Sequence, residues 1–129
     1  MWNKTFFKFF EISCYIFRET LLIIFNVVSV LKLISNAIKF TEEGTIIITS
    51  KKEEEKENEI VISVKDSGIG IHPDILPRLF QKFATKSYQG TGLGLYISKS
   101  IVEAHGGKMW AENNSDGKGA TFSFSLPLS

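Results

Sequence analysis

Three glycines fall within five positions, at Gly90, Gly92 and Gly94, directly ahead of a segment whose apolar residues recur at helical spacing. A glycine inside a regular element costs roughly 0.5–1 kcal/mol relative to alanine, so this cluster needs a compensating reason. Backbone amides at the start of a helix form a natural resting place for phosphate groups. Residues 88–100 therefore suggest a phosphate-binding loop that leads into a helix, although the glycines alone fit a structural turn equally well.

Three common phosphate-binding motifs do not match the glycine cluster. The dinucleotide fingerprint needs G-x-G-x-x-G directly after a strand, whereas the spacing here is G-x-G-x-G after a polar segment. The P-loop needs a Gly-Lys-Ser/Thr sequence, which the chain lacks. A eukaryotic-type kinase loop is followed by V-A-I-K and H-R-D motifs, and these are absent too. The cluster therefore belongs to a different kind of site or to none.

Two long helices are predicted from apolar residues that recur every three or four positions. The first covers residues 27–40, and the second begins at Leu93 and ends at the glycine pair 106–107. A short helix from Pro77 to Phe83 is also expected, because proline is favoured in a first helical turn. The predicted apolar faces of the long helices are Val27, Leu31, Ile34 and Ile38 in the first, and Leu93, Ile97 and Ile101 in the second.

Four strands are predicted from β-branched residues or from alternation of apolar and polar positions. They cover residues 45–50, 59–66, 108–113 and 120–128, and the charged run 51–59 is interpreted as a solvated hairpin tip. In the last strand Phe122, Phe124 and Leu126 face one way, and the hydroxyl residues between them face the other. This order of elements predicts an α+β fold, a two-layer sandwich with a mixed sheet covered on one face by helices.

Size, charge and the N-terminal segment set further bounds. A chain of 129 residues with a net charge of +1 suits a single domain and offers no field for nucleic acid, so we expect no nucleic-acid partner. The lone Cys14 fits a reducing compartment.

The apolar run 20–31 is shorter than the ~20 residues of a membrane span and has no signal-peptide cleavage site after it. We interpret it as a core element, with a truncated membrane segment or a drifted sequence as alternatives.

Three further stretches accompany the glycine cluster in a fixed order: SNAIKFT at 35–41, DSGIGI at 66–71 and LFQKF at 79–83. Together the four resemble the N, G1, F and G2 boxes of the ATP-binding domain of sensor histidine kinases, whose Bergerat-type fold is shared with DNA gyrase and mismatch-repair ATPases. We therefore expect a histidine kinase-like ATP-binding domain over 31–129. Residues 1–30 are expected to be an apolar N-terminal segment, which we interpret as a divergent or truncated part of that domain.

The resemblance implies a site for ATP and Mg²⁺. Asn36 would provide an amide oxygen, a suitable ligand for Mg²⁺, and Lys39 one turn later would provide a point charge for a phosphate, so both are the expected catalytic residues. Asp66 would accept a hydrogen bond from the exocyclic amine of adenine. Residues 84–92 resemble the family's ATP lid, expected to be mobile without nucleotide. The expected nucleotide-binding residues are Asp66, Gly68, Gly70, Ile71, Phe83, Lys86, Gly90, Thr91, Gly92, Leu93, Gly94 and Leu95.

Two departures from the family pattern limit the functional hypothesis. No phosphoacceptor motif surrounds His72 or His105, which we interpret as structural, so the acceptor histidine is expected on another chain that in turn serves a response regulator. Lys32 stands where the family usually has asparagine and where the related ATPases have a general-base glutamate, which argues against a hydrolase. The prediction is the catalytic domain of a histidine kinase; a non-catalytic pseudokinase module is the alternative.

The expected setting follows from the same resemblance. We expect a cytoplasmic domain, attached to or associated with a membrane sensor, that makes no membrane contact of its own.

Overall fold

The structure, a computed structural model, describes residue 24 and residues 26–53, 58–84 and 92–127. Several predictions fall outside these residues: the N-terminal segment up to residue 23, residues 54–57 of the charged hairpin tip, and the centre of the expected lid. Residues 51–53, predicted as part of the tip, instead continue the preceding strand. Three predicted site residues, Lys86, Gly90 and Thr91, also lie outside the described part of the chain.

Four strands form one sheet in the described residues. They are β1 (Ile46–Glu53), β2 (Glu59–Asp66), β3 (Lys108–Asn113) and β4 (Ala120–Pro127), in the spatial order β1-β2-β4-β3. All three neighbouring pairs are antiparallel, so the expectation of a mixed sheet is corrected. Strands β2 and β3 run in the same direction, but they do not pair with each other, because β4 lies between them and pairs with both. The sheet therefore contains no parallel pair among the described strands.

Helices α1, over residues 26–40, and α2 (Gly94–Ala104) pack on the sheet and close a single core. Alternate residues of the two central strands supply the sheet side of that core, as their period of two requires. Each long helix contributes buried residues to the same cluster, so the two-layer α+β prediction is confirmed. The main buried residues are Leu33 and Ala37 of α1, Val102 of α2, and Val64, Met109, Phe122, Phe124 and Leu126 of the sheet.

The buried face of α1 differs from the predicted one. The helical period is as expected, but the residues against the sheet are Ser29, Leu33 and Ala37. Leu31 is 58% exposed, and Ile38 is exposed as well. Two of these three buried residues are small, so apolar character alone did not reveal this face.

Two other elements also differ from expectation. Helix α2 buries Ser98 and Val102, whereas Ile97 of the predicted face is half exposed. The segment expected as a helix from Pro77 to Phe83 contains only a single 3-10 turn, Leu76–Arg78. Helix α2 ends at Ala104, followed by Gly106 in the left-handed region at φ 81°, which confirms the predicted glycine stop. Helix α1 runs across the predicted segment boundary at residue 30.

The offset face of α1 allows a matched test with two leucines of one helix. Leu33 is fully buried and Leu31 is largely exposed, so the same substitution removes packing at only one position. We expect Leu33→Ala to lower the free energy of unfolding by about 2–5 kcal/mol. Leu31→Ala should lower it by less than about 1 kcal/mol. Urea denaturation followed by circular dichroism measures both, and equal losses would contradict the assigned face.

Candidate nucleotide site

A cavity of about 360 Å³ opens between α1, the end of β2 and the start of α2. Its wall is largely apolar, with Ile71, Ile75, Leu79 and Phe122 among the lining residues. Polar groups enter it from α1 and from the end of β2. A mostly apolar pocket with a few converging polar groups is the usual form of a small-molecule site.

Asp66, the last residue of β2, is the buried carboxylate of this cavity, with 4% of its surface exposed. Its Oδ1 accepts hydrogen bonds from the backbone N–H of Gly68 at 3.0 Å and of Ala120 at 3.3 Å. These two donors come from the loop after β2 and from the start of β4. A buried carboxylate needs hydrogen-bond donors, and these two amides hold the Asp66 side chain in one orientation. The other carboxylate oxygen, Oδ2, accepts no hydrogen bond from a described residue.

The loop that follows Asp66 is fastened to the far edge of the sheet. Asn113, at the end of β3, accepts a hydrogen bond from the N–H of Ile71 at 2.7 Å. Its Nδ2 donates to the carbonyl of Ile71 at 2.9 Å. Gly70 lies in this loop at φ 77°, a conformation that glycine adopts readily. The paired bonds hold the loop, and with it Ile71, against the cavity.

The turn between β3 and β4 contacts Asp66 directly. Asn114 donates from Nδ2 to the carbonyl oxygen of Asp66 at 2.8 Å. Gly119, at φ 76°, packs so closely that a Cβ there would overlap that carbonyl oxygen and stand 2.7 Å from Oδ1. Sequence reasoning missed Asn113, Asn114 and Gly119, although an Asn-Asn pair at a strand end before a glycine-bearing turn was a usable signal.

Helix α1 presents a row of polar side chains to the cavity. Lys32, Asn36 and Lys39 recur at helical spacing and all line it. The Lys39 ammonium lies 5.3 Å from the centre of the Phe40 ring, a favourable cation–π distance. The predicted metal ligand and the predicted phosphate-binding lysine are therefore both placed at the cavity, beside a second lysine.

The start of α2 forms the opposite rim. Gly92, Gly94 and Leu95 line the cavity, and the helix has no side-chain hydrogen bond at its N-cap residue, Leu93. The first turn contains no acidic residue. Backbone N–H groups of a first helical turn have no partner within the helix, so this rim is suited to an anion.

Phe83 does not occupy the place expected of it. Its side chain is 67% exposed and is not among the residues that line the cavity. The backbone at Phe83 has φ 63°, and its N–H donates to the carbonyl of Gly92 at 2.8 Å. A Cβ on Gly92 would overlap the backbone of Phe83. Phe83 therefore contacts Gly92 through its main chain, and its side chain is not part of the cavity wall.

Most of the predicted site residues come together at this cavity. Two more described ones, Gly68 and Leu93, stand next to lining residues but are not part of the lining themselves. Gly68 has a packing role, because a Cβ there would overlap the carbonyl oxygen of Phe40. The predicted residues that line the cavity are Asn36, Lys39, Asp66, Gly70, Ile71, Gly92, Gly94 and Leu95.

The donor set is compatible with a magnesium ion that binds mainly through phosphate oxygens. Among the described residues no group of three His, Cys, Asp or Glu side chains could hold a metal ion. Mg²⁺ retains several waters and commonly takes only one or two protein ligands next to substrate phosphates. Asn36, with its amide at the cavity, suits that limited role.

The two histidines have local partners. The N–H of Asp74 donates to Nδ1 of His72 at 3.1 Å, in the loop at the cavity edge. Nδ1 of His105 lies 2.7 Å from the carbonyl oxygen of Ile101, one turn back at the end of α2. Both contacts are local in sequence, and His72 also lines the cavity, so the interpretation of the two residues as structural stays a prediction. Separately, no helix within the described ranges has the length and hydropathy needed to cross a membrane.

Comparison with known proteins connects this geometry to one family. Residues 27–129 match the family model described as histidine kinase-, DNA gyrase B- and HSP90-like ATPase. The chain is 44% identical over 101 residues to the sensor histidine kinase WalK of Bacillus subtilis, and this alignment covers 74% of the chain. The aligned part is 16% of WalK, so the chain spans a small fraction of the curated relatives it matches.

Two solved structures are similar in fold and sequence. The catalytic domain of the histidine kinase ThkA, in a nucleotide-free form, superposes with a TM-score of 0.65 at 40% identity. The match covers 77% of this chain and 63% of that one. Full-length ShkA in complex with AMPPNP gives a TM-score of 0.67 at 34% identity, covering 78% of this chain and 20% of that one.

The close packing of Gly119 on Asp66 allows a test with two glycines of one turn. Gly117 has a similar φ of 78°, but a Cβ there would meet nothing within 4 Å. We expect Gly117→Ala to cost about 1–2 kcal/mol of unfolding free energy from backbone strain alone. Gly119→Ala should cost roughly 1–3 kcal/mol more, because its methyl group displaces Asp66. Urea denaturation measures both, and indistinguishable losses would contradict the close packing.

Proposed function

Because the chain belongs to the family of histidine kinase-, DNA gyrase B- and HSP90-like ATPases, we propose that it is the ATP-binding catalytic domain of a two-component sensor histidine kinase. It transfers the γ-phosphate of ATP to a histidine on a separate phosphoacceptor domain, which then supplies a response regulator. The observation that carries this proposal is Asp66, a buried carboxylate with a fixed orientation inside a largely apolar cavity.

Asp66 recognises adenine. Its Oδ1 is already engaged by two backbone amides, so Oδ2 is the oxygen left for a ligand. Adenine carries an exocyclic amine that donates, whereas guanine carries an acceptor oxygen at the equivalent ring position. The apolar walls from Ile71, Ile75 and Leu79 pack against the faces of the base.

The phosphate chain lies toward the opposite rim, where α1 and α2 meet. The amides at the start of α2 donate to phosphate oxygens, and the Lys39 ammonium supplies a positive charge. When bound, Mg²⁺ with Asn36 as a ligand would neutralise charge on the phosphate oxygens. Positioning and electrostatics are the main contributions that a protein makes to phosphoryl transfer.

The bond between the γ-phosphorus and the oxygen that bridges it to the β-phosphorus breaks, and a bond forms from the γ-phosphorus to an imidazole nitrogen of the acceptor. ADP leaves with the bond's electron pair, and the acceptor imidazole loses its N–H proton. The structure of full-length ShkA with AMPPNP, an ATP analogue in a similar protein, supports the assignment of a triphosphate.

The first test replaces the proposed adenine contact. In Asp66→Asn an amide N–H₂ faces the adenine amine, and a mismatched buried pair costs ~1–3 kcal/mol. We expect calorimetry to show ATP affinity lower by about five- to 150-fold, and a much weaker affinity for GTP in the wild-type chain. Asp116→Asn is the matched control, because Asp116 also accepts from the amide two residues on but is exposed. Equal ATP affinity in both variants would contradict the assignment.

The second test concerns the transfer itself. The full chain, labelled ATP, Mg²⁺ and a separate phosphoacceptor domain are incubated together, and we expect acid-labile label on the acceptor domain. The chain alone should acquire none, because His72 and His105 have structural contacts. Phosphohistidine at either residue, found by mass spectrometry, would contradict this. Binding of ATP without transfer to any acceptor would favour the pseudokinase alternative.

A further inference from the structure

Lys32 reaches across the cavity to the start of α2. A Cβ built on Gly94 would overlap both Cε and Nζ of the Lys32 side chain, so the ammonium lies directly over the first residue of that helix. Gly94 and Lys32 both line the cavity that holds Asp66. The family resemblance assigns no role to a lysine at this position, and the function proposed above does not use it.

This placement is electrostatically unfavourable unless an anion is present. The N-terminus of a helix carries a partial positive charge, so a cation is normally found at the other end. No acidic residue in the first turn of α2 offsets it. Within the described residues no carboxylate forms an ion pair with Lys32. Two positive groups thus converge on one point of an apolar-walled cavity, where each charge acts more strongly than in water.

We propose that Lys32 binds the phosphate chain of the nucleotide directly, so that this chain holds an adenine nucleotide without a divalent metal. This inference rests on the proposed function, because it assumes that the cavity binds a nucleotide. A flexible lysine can donate to phosphate oxygens as a point charge, and the backbone amides of the first turn of α2 can donate to the same oxygens.

The same placement reduces what a metal ion adds. Asn36 lies one helical turn after Lys32 and lines the same cavity, so a metal held there would lie near the ammonium. Two neighbouring cations repel, and both neutralise the same phosphate charge. Metal and lysine therefore act in place of each other, and the affinity for ATP should depend little on Mg²⁺.

The experiment is calorimetry of the full chain with ATP, once in Mg²⁺ and once in EDTA. For the wild type we expect the two affinities to agree within about threefold, because Lys32 already neutralises the phosphate charge that Mg²⁺ would neutralise. Lys32→Gln should lower the affinity in EDTA by about tenfold, because it removes a charge-assisted hydrogen bond to phosphate. In Mg²⁺ the same variant should bind nearly as well as the wild type.

Two controls separate charge from structure. Lys32→Arg keeps the positive charge and should retain most of the affinity in EDTA. Lys108→Gln removes an exposed lysine at the end of the sheet away from the cavity and should change neither affinity. Thermal unfolding of each variant, followed by circular dichroism, establishes that the chain is folded.

The outcomes distinguish this inference from the proposed function. If Asp66→Asn weakens ATP binding while Lys32→Gln matches the wild type in both buffers, the nucleotide site stands and the role of Lys32 is refuted. A loss in Lys32→Gln that is equal in Mg²⁺ and EDTA also refutes it, because the lysine and the metal would then contribute independently instead of substituting for each other. If the wild type binds no adenine nucleotide in either buffer, both the proposed function and this inference fail.

Discussion

The burial of one carboxylate determines how the site of this protein is built. Asp66 ends a strand inside a largely apolar cavity, and a carboxylate buried in that position requires hydrogen-bond donors. The amide of Gly68 supplies one bond and the amide of Ala120 the other. To bring those amides in, the loop after β2 and the turn before β4 must both pack tightly, which is why glycines stand at 68 and 119.

Much of the fold could be predicted from the sequence, and the errors have a common physical origin. Strands β2 and β3 have the predicted bounds, because alternation is unambiguous where one sheet face is buried. The helices lie where the sequence predicts them along the chain, but their buried faces differ from the predicted ones. Ser29 and Ser98 are buried, while larger apolar residues such as Leu31 are exposed. When a helix is apolar on several sides, tertiary packing decides which side is buried, and the local sequence pattern does not contain that information.

The site was predictable to the extent that it lies in short contiguous motifs. Asn36, Asp66 and the glycines before α2 are local patterns, and the structure brings those it describes to one cavity. Their roles as ligands of ATP and Mg²⁺ stay predictions. Asn113 and Asn114 could not be found in this way, because their contacts join residues about forty or more positions apart. The exposure of Phe83 could not be predicted either, because a large apolar residue is more often buried in a core.

The bond from Ala120 to Asp66 spans 54 residues, and this separation has a kinetic meaning. Contacts that close long loops form late in folding, since the chain entropy must be lost before they add stability. A chain in which β4 has not yet docked therefore has no oriented carboxylate and no complete cavity. Nucleotide can bind only after the sheet is complete, so its binding energy is linked to cooperative unfolding of the whole domain.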